Sequence, residues 1–378
     1  MLQLPEQTSV FVEKDDDLDF VDVGGRRTLG SLKHKAPGER LTNLSKDFWK
    51  SVRIWLRRYG DSGRIESTHR FYLFTTNEVA ETSFLKEFFP AGQRSADDPA
   101  LVTLADAALA ETQSELIQKI ANDIHTLSEA EQIDFWRRIT IFDRAPRIDD
   151  IPDLIKDRVM RSIRRECRDF VFERLEGWWH DSVLALLTGK RSLPIYGYEL
   201  SDKLSALADE YKADNLPITF RGKAPDGEID TDNDNRLFVR QPREIGISSA
   251  RIRNAILDYY RAYEQRSQWA RENLLVSGEL DDYEDRLVDE WSRYRDVVFE
   301  KLDAGSAESV LREAGQQLYQ WADLESGNIS SLRIRERVTE PYIVRGGFHI
   351  LANIPPAPRI YWHPLFLERL RRFLAVNA

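Results

Sequence analysis

The chain has 378 residues, 42% of them hydrophobic and 31% charged, enough for about two domains with sizeable cores. No apolar run approaches the roughly 20 residues that span a bilayer, and MLQLPEQTSV lacks the basic and apolar regions of a secretory signal, so a cytoplasmic protein is expected. The formal net charge of −10 excludes a basic coat over the whole chain, but residues 1–90 hold fourteen Lys and Arg against fourteen Asp and Glu, so the deficit lies further on and the amino-terminal part is the one able to approach phosphate.

Residues 9–35, SVFVEKDDDLDFVDVGGRRTLGSLKHK, read as a β-meander. Val10, Val12, Leu18, Phe20, Val21 and Val23 are strand formers, and Gly24-Gly25 signals a turn between two such runs. Alternation places Asp17, Asp19 and Val21 on one face and Ser31, Lys33 and Lys35 together on the next strand. If the strands pair across the glycines, Asp17 meets Lys33. A carboxylate holding a divalent metal beside a lysine that steadies charge on phosphorus is a working set for phosphodiester hydrolysis, with Glu13 as a further oxygen ligand. The plain alternative is a solvated acidic strand end and an edge-strand lysine that blocks unwanted pairing. His34 is expected to pack or hydrogen-bond, because neighbouring strand residues face opposite ways.

A helix is predicted from about Ser45 to Tyr59. Phe48, Val52, Trp55 and Tyr59 share one face at helical spacing, and Lys46, Lys50, Arg53 and Arg57 share another. The apolar face should cover the sheet, leaving a basic stripe able to neutralise duplex phosphates, or simply to be solvated. Arg70–Thr75 reads as a buried central strand, and the turn-rich residues 90–99 as a domain boundary.

Helices dominate beyond that point. Residues 101–126 read as one long helix, Ser128-x-x-Glu131 opens a second with a capping box, and Ile139–Phe142 is either a short strand or that helix's end. Trp178, Trp179 and His180 are read as packing residues, and Cys167 as a lone thiol that excludes internal disulfides and cysteine metal clusters. Residues 221–236 read as a loop; its DTDNDN run lacks the glycine and glutamate offsets of a calcium loop. Residues 252–275 and 284–298 form two long amphipathic helices, residues 342–351 a segment closing around a turn, and the chain ends in a helix. Arg261, Gln265, Arg266, Trp269 and Glu290 sit near an aromatic stripe, as a polar network or as a docking face. No P-loop, GxSxG elbow or HExxH motif occurs.

Glu13, Asp16-Asp17-Leu18 and Ser31-Leu32-Lys33-His34 resemble the signature of the PD-(D/E)xK nuclease superfamily, as found in the double-stranded DNA endonuclease domain of bacterial antiphage effectors. Ser31 stands where that family usually has a carboxylate or glutamine, and the helix that normally precedes the first strand is not in the sequence. The resemblance implies an Mg²⁺-dependent endonuclease with Glu13 and Asp17 on the metal, Lys33 positioning water and Ser31 in the catalytic set contributing at most a water-bridged contact; the basic stripe of Lys46, Lys50, Arg53 and Arg57 would then hold the duplex backbone. From about residue 100 the blocks LEGWWH, DNLP, DYYRAYEQRSQW, GELDDYEDRLVDEW, RGGFHILAN and WHP resemble the C-terminal domain of effectors of bacterial ABC-three-component conflict systems. This implies an ABC-type ATPase and a middle component as partners; if Arg261, Gln265, Arg266, Trp269 and Glu290 are a docking face and not a polar network, the ATPase is what they are expected to meet. The expected fold class is α+β: a small PD-(D/E)xK-like α/β domain over residues 1–95, followed by a predominantly α-helical domain over residues 100–378. Its function is then that of a defence effector that cuts DNA, or of a catalytically inactive scaffold subunit of the same system.

Overall fold

Short runs of β-branched and aromatic residues close the amino-terminal meander as β1 (Ser9–Val12), β2 (Leu18–Val21) and β3 (Arg27–Lys33). Both turns are antiparallel, with Leu18 opposite Gly30 and Val21 opposite Arg27. The computed structural model describes residues 1–376 apart from 3, 35, 37, 91–97 and 304. Lys35, expected beside Ser31 and Lys33, therefore lies outside the described residues.

After β3 the chain crosses over through α1 (Lys46–Asp61) to β4 (Arg70–Thr75), which lies parallel to β3. Phe48, Val52, Trp55 and Tyr59 of α1 are fully buried, with Trp55 stacked on Phe71 of β4 at 5.7 Å. Burying each such side chain stabilises by about 1.5–3 kcal/mol, against at most about 1 kcal/mol for an exposed ion pair. Aromatic burial therefore decides which face of α1 turns outward.

The expected single helix over 101–126 is two, α2 (Asp98–Ala110) and α3 (Glu115–His125). They break where the Thr112 hydroxyl accepts the Ser114 amide at 3.2 Å, an alternative to continuing the helical ladder. The Ser128 capping box forms at the start of α4 (Glu129–Arg137), and Ile139–Phe142 is a strand, β5, parallel to β4. Then follow α5 (Ile151–Arg158), α6 (Arg168–Leu187), β6 (Ile195–Tyr196) and α7 (Gly197–Glu210). The six strands run in the order β5-β4-β3-β2-β1-β6.

The chain divides into two compact units, Met1–Ala208 and Asp209–Ala378. The sequence places the division at 90–99, most of which lies outside the described residues. It falls later because Trp136 and Phe135 of α4 pack with Trp49 and Tyr59 of α1, and because β5 and β6 are strands of the same sheet. In α6, Trp178 and Trp179 are half-buried and His180 is exposed, so the packing role expected of His180 is not what it does.

The second unit is helical: α8 (Leu237–Glu244), α9 (Ser249–Arg271), α10 (Glu279–Phe299), α11 (Glu308–Gln320), α12 (Pro341–Leu351) and α13 (Phe366–Val376). Residues 221–236 contain no helix or strand. The segment 342–351, expected to close around a turn, is instead the continuous helix α12. Its glycines serve close packing: a Cβ on Gly346 would overlap the Asp258 carbonyl oxygen and the Ala262 methyl of α9. Gly346→Ala should therefore lower stability in urea denaturation by about 2 kcal/mol. Gly177→Ala in α6, where the added methyl meets nothing within 4 Å, should be neutral or stabilising by about 0.5–1 kcal/mol.

Candidate functional site

The β2–β3 register carries Asp17, one residue before β2, to the side of Ser31. One oxygen, Asp17 Oδ2, accepts the Leu32 amide at 2.6 Å, lies 3.4 Å from Ser31 Oγ and faces Lys33 Nζ at 3.6 Å. Asp17, Ser31 and Lys33 are thus brought together. Ser31 is buried, its hydroxyl 2.8 Å from Ser51 Oγ on α1. Glu13 stands on the preceding turn at φ 54°, exposed, with its amide donating to the Asp17 carbonyl at 3.0 Å.

The neighbouring acids are engaged by this chain's own donors. Asp16 accepts the Asp17 amide through Oδ1 and the Trp55 indole through Oδ2, at 2.9 and 2.8 Å. Burial pushes the Asp16 carboxyl above its ordinary value, and these two hydrogen bonds offset only part of that rise. Asp19, fully buried, pairs with Arg27 of β3. Asp15 bridges Arg27 and Arg58, the latter at 2.8 Å. Burial alone would raise the Asp15 carboxyl, but the Arg27 hydrogen bond and the charges of Arg58 and Arg27 together hold it below the ordinary carboxylate range. Asp22 accepts the Gly24 and Arg26 amides, both at 2.9 Å, and so holds the turn.

The expected magnesium would have to be held by Glu13 and Asp17, with the rest of its shell supplied by water. The other side chains of the hairpin add little to such a site, since a neutral hydroxyl is a poorer magnesium ligand than carboxylate or carbonyl oxygen. Ser31 supplies a neutral hydroxyl already in contact with Ser51 and Asp17, while Asp15, Asp16 and Asp19 answer to Arg27, Arg58 and Trp55. Among the described residues no group of three or more His, Cys, Asp or Glu could hold a metal ion. The four-charge network of Asp15, Asp19, Arg27 and Arg58 has little local signature in the sequence. Its one legible signal was the hairpin register, which sets Arg27 near Asp19 across Gly24-Gly25.

The outer face of α1 carries Lys46, Lys50, Arg53 and Arg57, all exposed. Arg57 lies 3.9 Å from Asp61, too loose and too solvated to neutralise it.

In the second unit the residues expected to meet a partner are mostly interior. Gln265 and Trp269 are fully buried and Arg266 nearly so. Gln265 Oε1 accepts the Thr219 amide at 2.8 Å, and Trp269 Nε1 donates to the Pro217 carbonyl at 2.8 Å. Together they seat residues 217–220 on α9. Arg266 pairs with Glu284 at 3.0 Å, and Arg261 donates to the Lys223 carbonyl at 2.7 Å. Glu290 is half-buried. The aromatic stripe that suggested a docking face is the core of this unit, which is why its polar neighbours turn inward.

Residues 238–370 match the family model described as C-terminal domain 7 of the ABC-three component (ABC-3C) systems. The matched stretch is about a third of the chain and lies within the helical second unit. No curated protein and no solved structure matches the chain. Among the described residues no helix is long and apolar enough to cross a membrane.

The charge network yields a direct stability test. Arg27→Met leaves Asp19 buried without its partner and should cost about 3–5 kcal/mol in denaturant titration. Adding Asp19→Leu should recover most of it. Equal stability of the wild type and Arg27→Met would mean that the pair does not hold the hairpin.

Proposed function

We propose that this chain is a component of an ABC-three-component defence system that grips nucleic-acid phosphate along α1 without cutting it. Its carboxy-terminal unit attaches it to the system's ABC-type ATPase or middle component. The observation that carries the phosphate reading is the division of α1 into a buried aromatic face and an outward face of four exposed cations. Such a face binds backbone irrespective of sequence by releasing counterions. The family match over residues 238–370 supports attachment to the system. The engaged carboxylates of the hairpin support a role without hydrolysis.

The second reading is metal-dependent cleavage of double-stranded DNA. It is favoured by one observation, the Asp17 carboxylate beside Lys33 at 3.6 Å. It would need Glu13 and Asp17 to hold Mg²⁺ while the neighbouring Asp15, Asp16 and Asp19 stay with Arg27, Arg58 and Trp55.

Binding of a labelled duplex, followed by fluorescence anisotropy across a salt series, tests the first reading. Replacing Lys46, Lys50, Arg53 and Arg57 together by Gln should weaken binding and flatten the slope of log affinity against log salt by about 0.9 for each cation that meets a phosphate. The thermal melt should not move, because all four side chains are exposed. Unchanged affinity and slope would overturn it.

A further inference from the structure

Between the carboxy-terminal half of α1 and the end of α3 lies an open groove of about 680 Å³. Arg53, Arg57, Arg58 and Arg64 line it, opposed among its lining residues by the single acid Asp123. Two of these guanidinium groups are held in place from behind. Arg64 pairs with Glu131 at 2.7 Å, and Arg58 with Asp15 at 2.8 Å, so each is oriented while keeping further N–H donors. The groove also has apolar walls, Ile54 on α1 and Leu127 after α3. Its volume falls within the range of about 300–1,000 Å³ typical of clefts that enclose small ligands.

We infer that this groove seats an unpaired nucleotide segment at the end of the basic stripe, so that the amino-terminal unit prefers a duplex carrying a single-stranded tail. The inference rests on the phosphate reading of α1 and names the form of nucleic acid it takes. A duplex presents phosphates on a convex surface and keeps its base faces stacked, so it has no use for a concave groove whose walls are part aliphatic and part arginine. An unpaired base can enter one, lay its face on aliphatic walls and guanidinium planes, and leave its phosphates to the surrounding cations. The stripe leads into the groove: Lys46 and Arg57 are eleven residues apart on one helix, roughly 16 Å at the helical rise, and Arg53 and Arg57 belong to both features.

The test compares the full chain on a blunt duplex and on the same duplex with a short unpaired tail, by anisotropy at fixed salt. The wild type should favour the tailed form by roughly tenfold, the scale of one stacked base. Arg64→Gln and, separately, Ile54→Glu should abolish that preference. Both replace side chains at least a third exposed, so their melts should match the wild type. Lys46→Gln with Lys50→Gln should instead weaken both forms alike. Equal wild-type affinity for tailed and blunt DNA overturns the groove and leaves the stripe standing. Retention of the preference by Arg64→Gln and Ile54→Glu also overturns it. Binding of neither form overturns the stripe reading, and this inference with it.

Discussion

Asp17 Oδ2 receives the Leu32 amide at 2.6 Å and faces the Lys33 ammonium at 3.6 Å, so a single oxygen joins the entrance of β2 to the exit of β3. Because main-chain donors at this point need a partner, the carboxylate does structural work that a metal ligand would have to share. The same logic runs through the hairpin. Asp16 is tied to α1 through Trp55, and Asp15 and Asp19 share Arg27, with Arg58 of α1 closing the network. The acidic run therefore reads as the joint between meander and helix.

That joint fixes how α1 lies and what it shows. Its inner residues stack on β4 and against α4, and its outer residues present positive charge in a protein whose net charge is negative. The second unit uses a different device. Glycines of α12 let its backbone approach α9, and buried Gln265 and Trp269 secure the chain that runs before α8. The part of the chain that matches an ABC-3C C-terminal domain is thus well specified internally, through contacts that leave few of the expected partner residues facing outward.

Much of this was legible in the residues. Period-two alternation and Gly24-Gly25 set the meander, the spacing of Phe48, Val52, Trp55 and Tyr59 set the buried face of α1, and Ser128 with Glu131 marked the start of α4. What escaped needed long-range information. Nothing local says that Ile139–Phe142 and Ile195–Tyr196 return to a sheet begun at Ser9, so the first unit extends past the turn-rich residues to Ala208. The segment 342–351 reads as closing around a turn until α9 is seen lying against it. The engagement of Asp15 and Asp19 by Arg27 and Arg58, and of Asp16 by Trp55, depends on how α1 lies against the meander, which no local pattern gives. For Arg266 the residues leave open a polar network or a docking face, and its pairing with Glu284 of α10 is the interhelical ion pair of the first alternative.

The central claim is that the Asp17 and Lys33 pair holds the hairpin together and does not cut DNA. The most direct measurement is nicking of supercoiled plasmid by the purified wild type and by Lys33→Met, each with Mg²⁺ and with chelator. The account predicts no metal-dependent nicking that distinguishes the two proteins. Nicking by the wild type that requires Mg²⁺ and disappears in Lys33→Met, with the melt preserved, would contradict it.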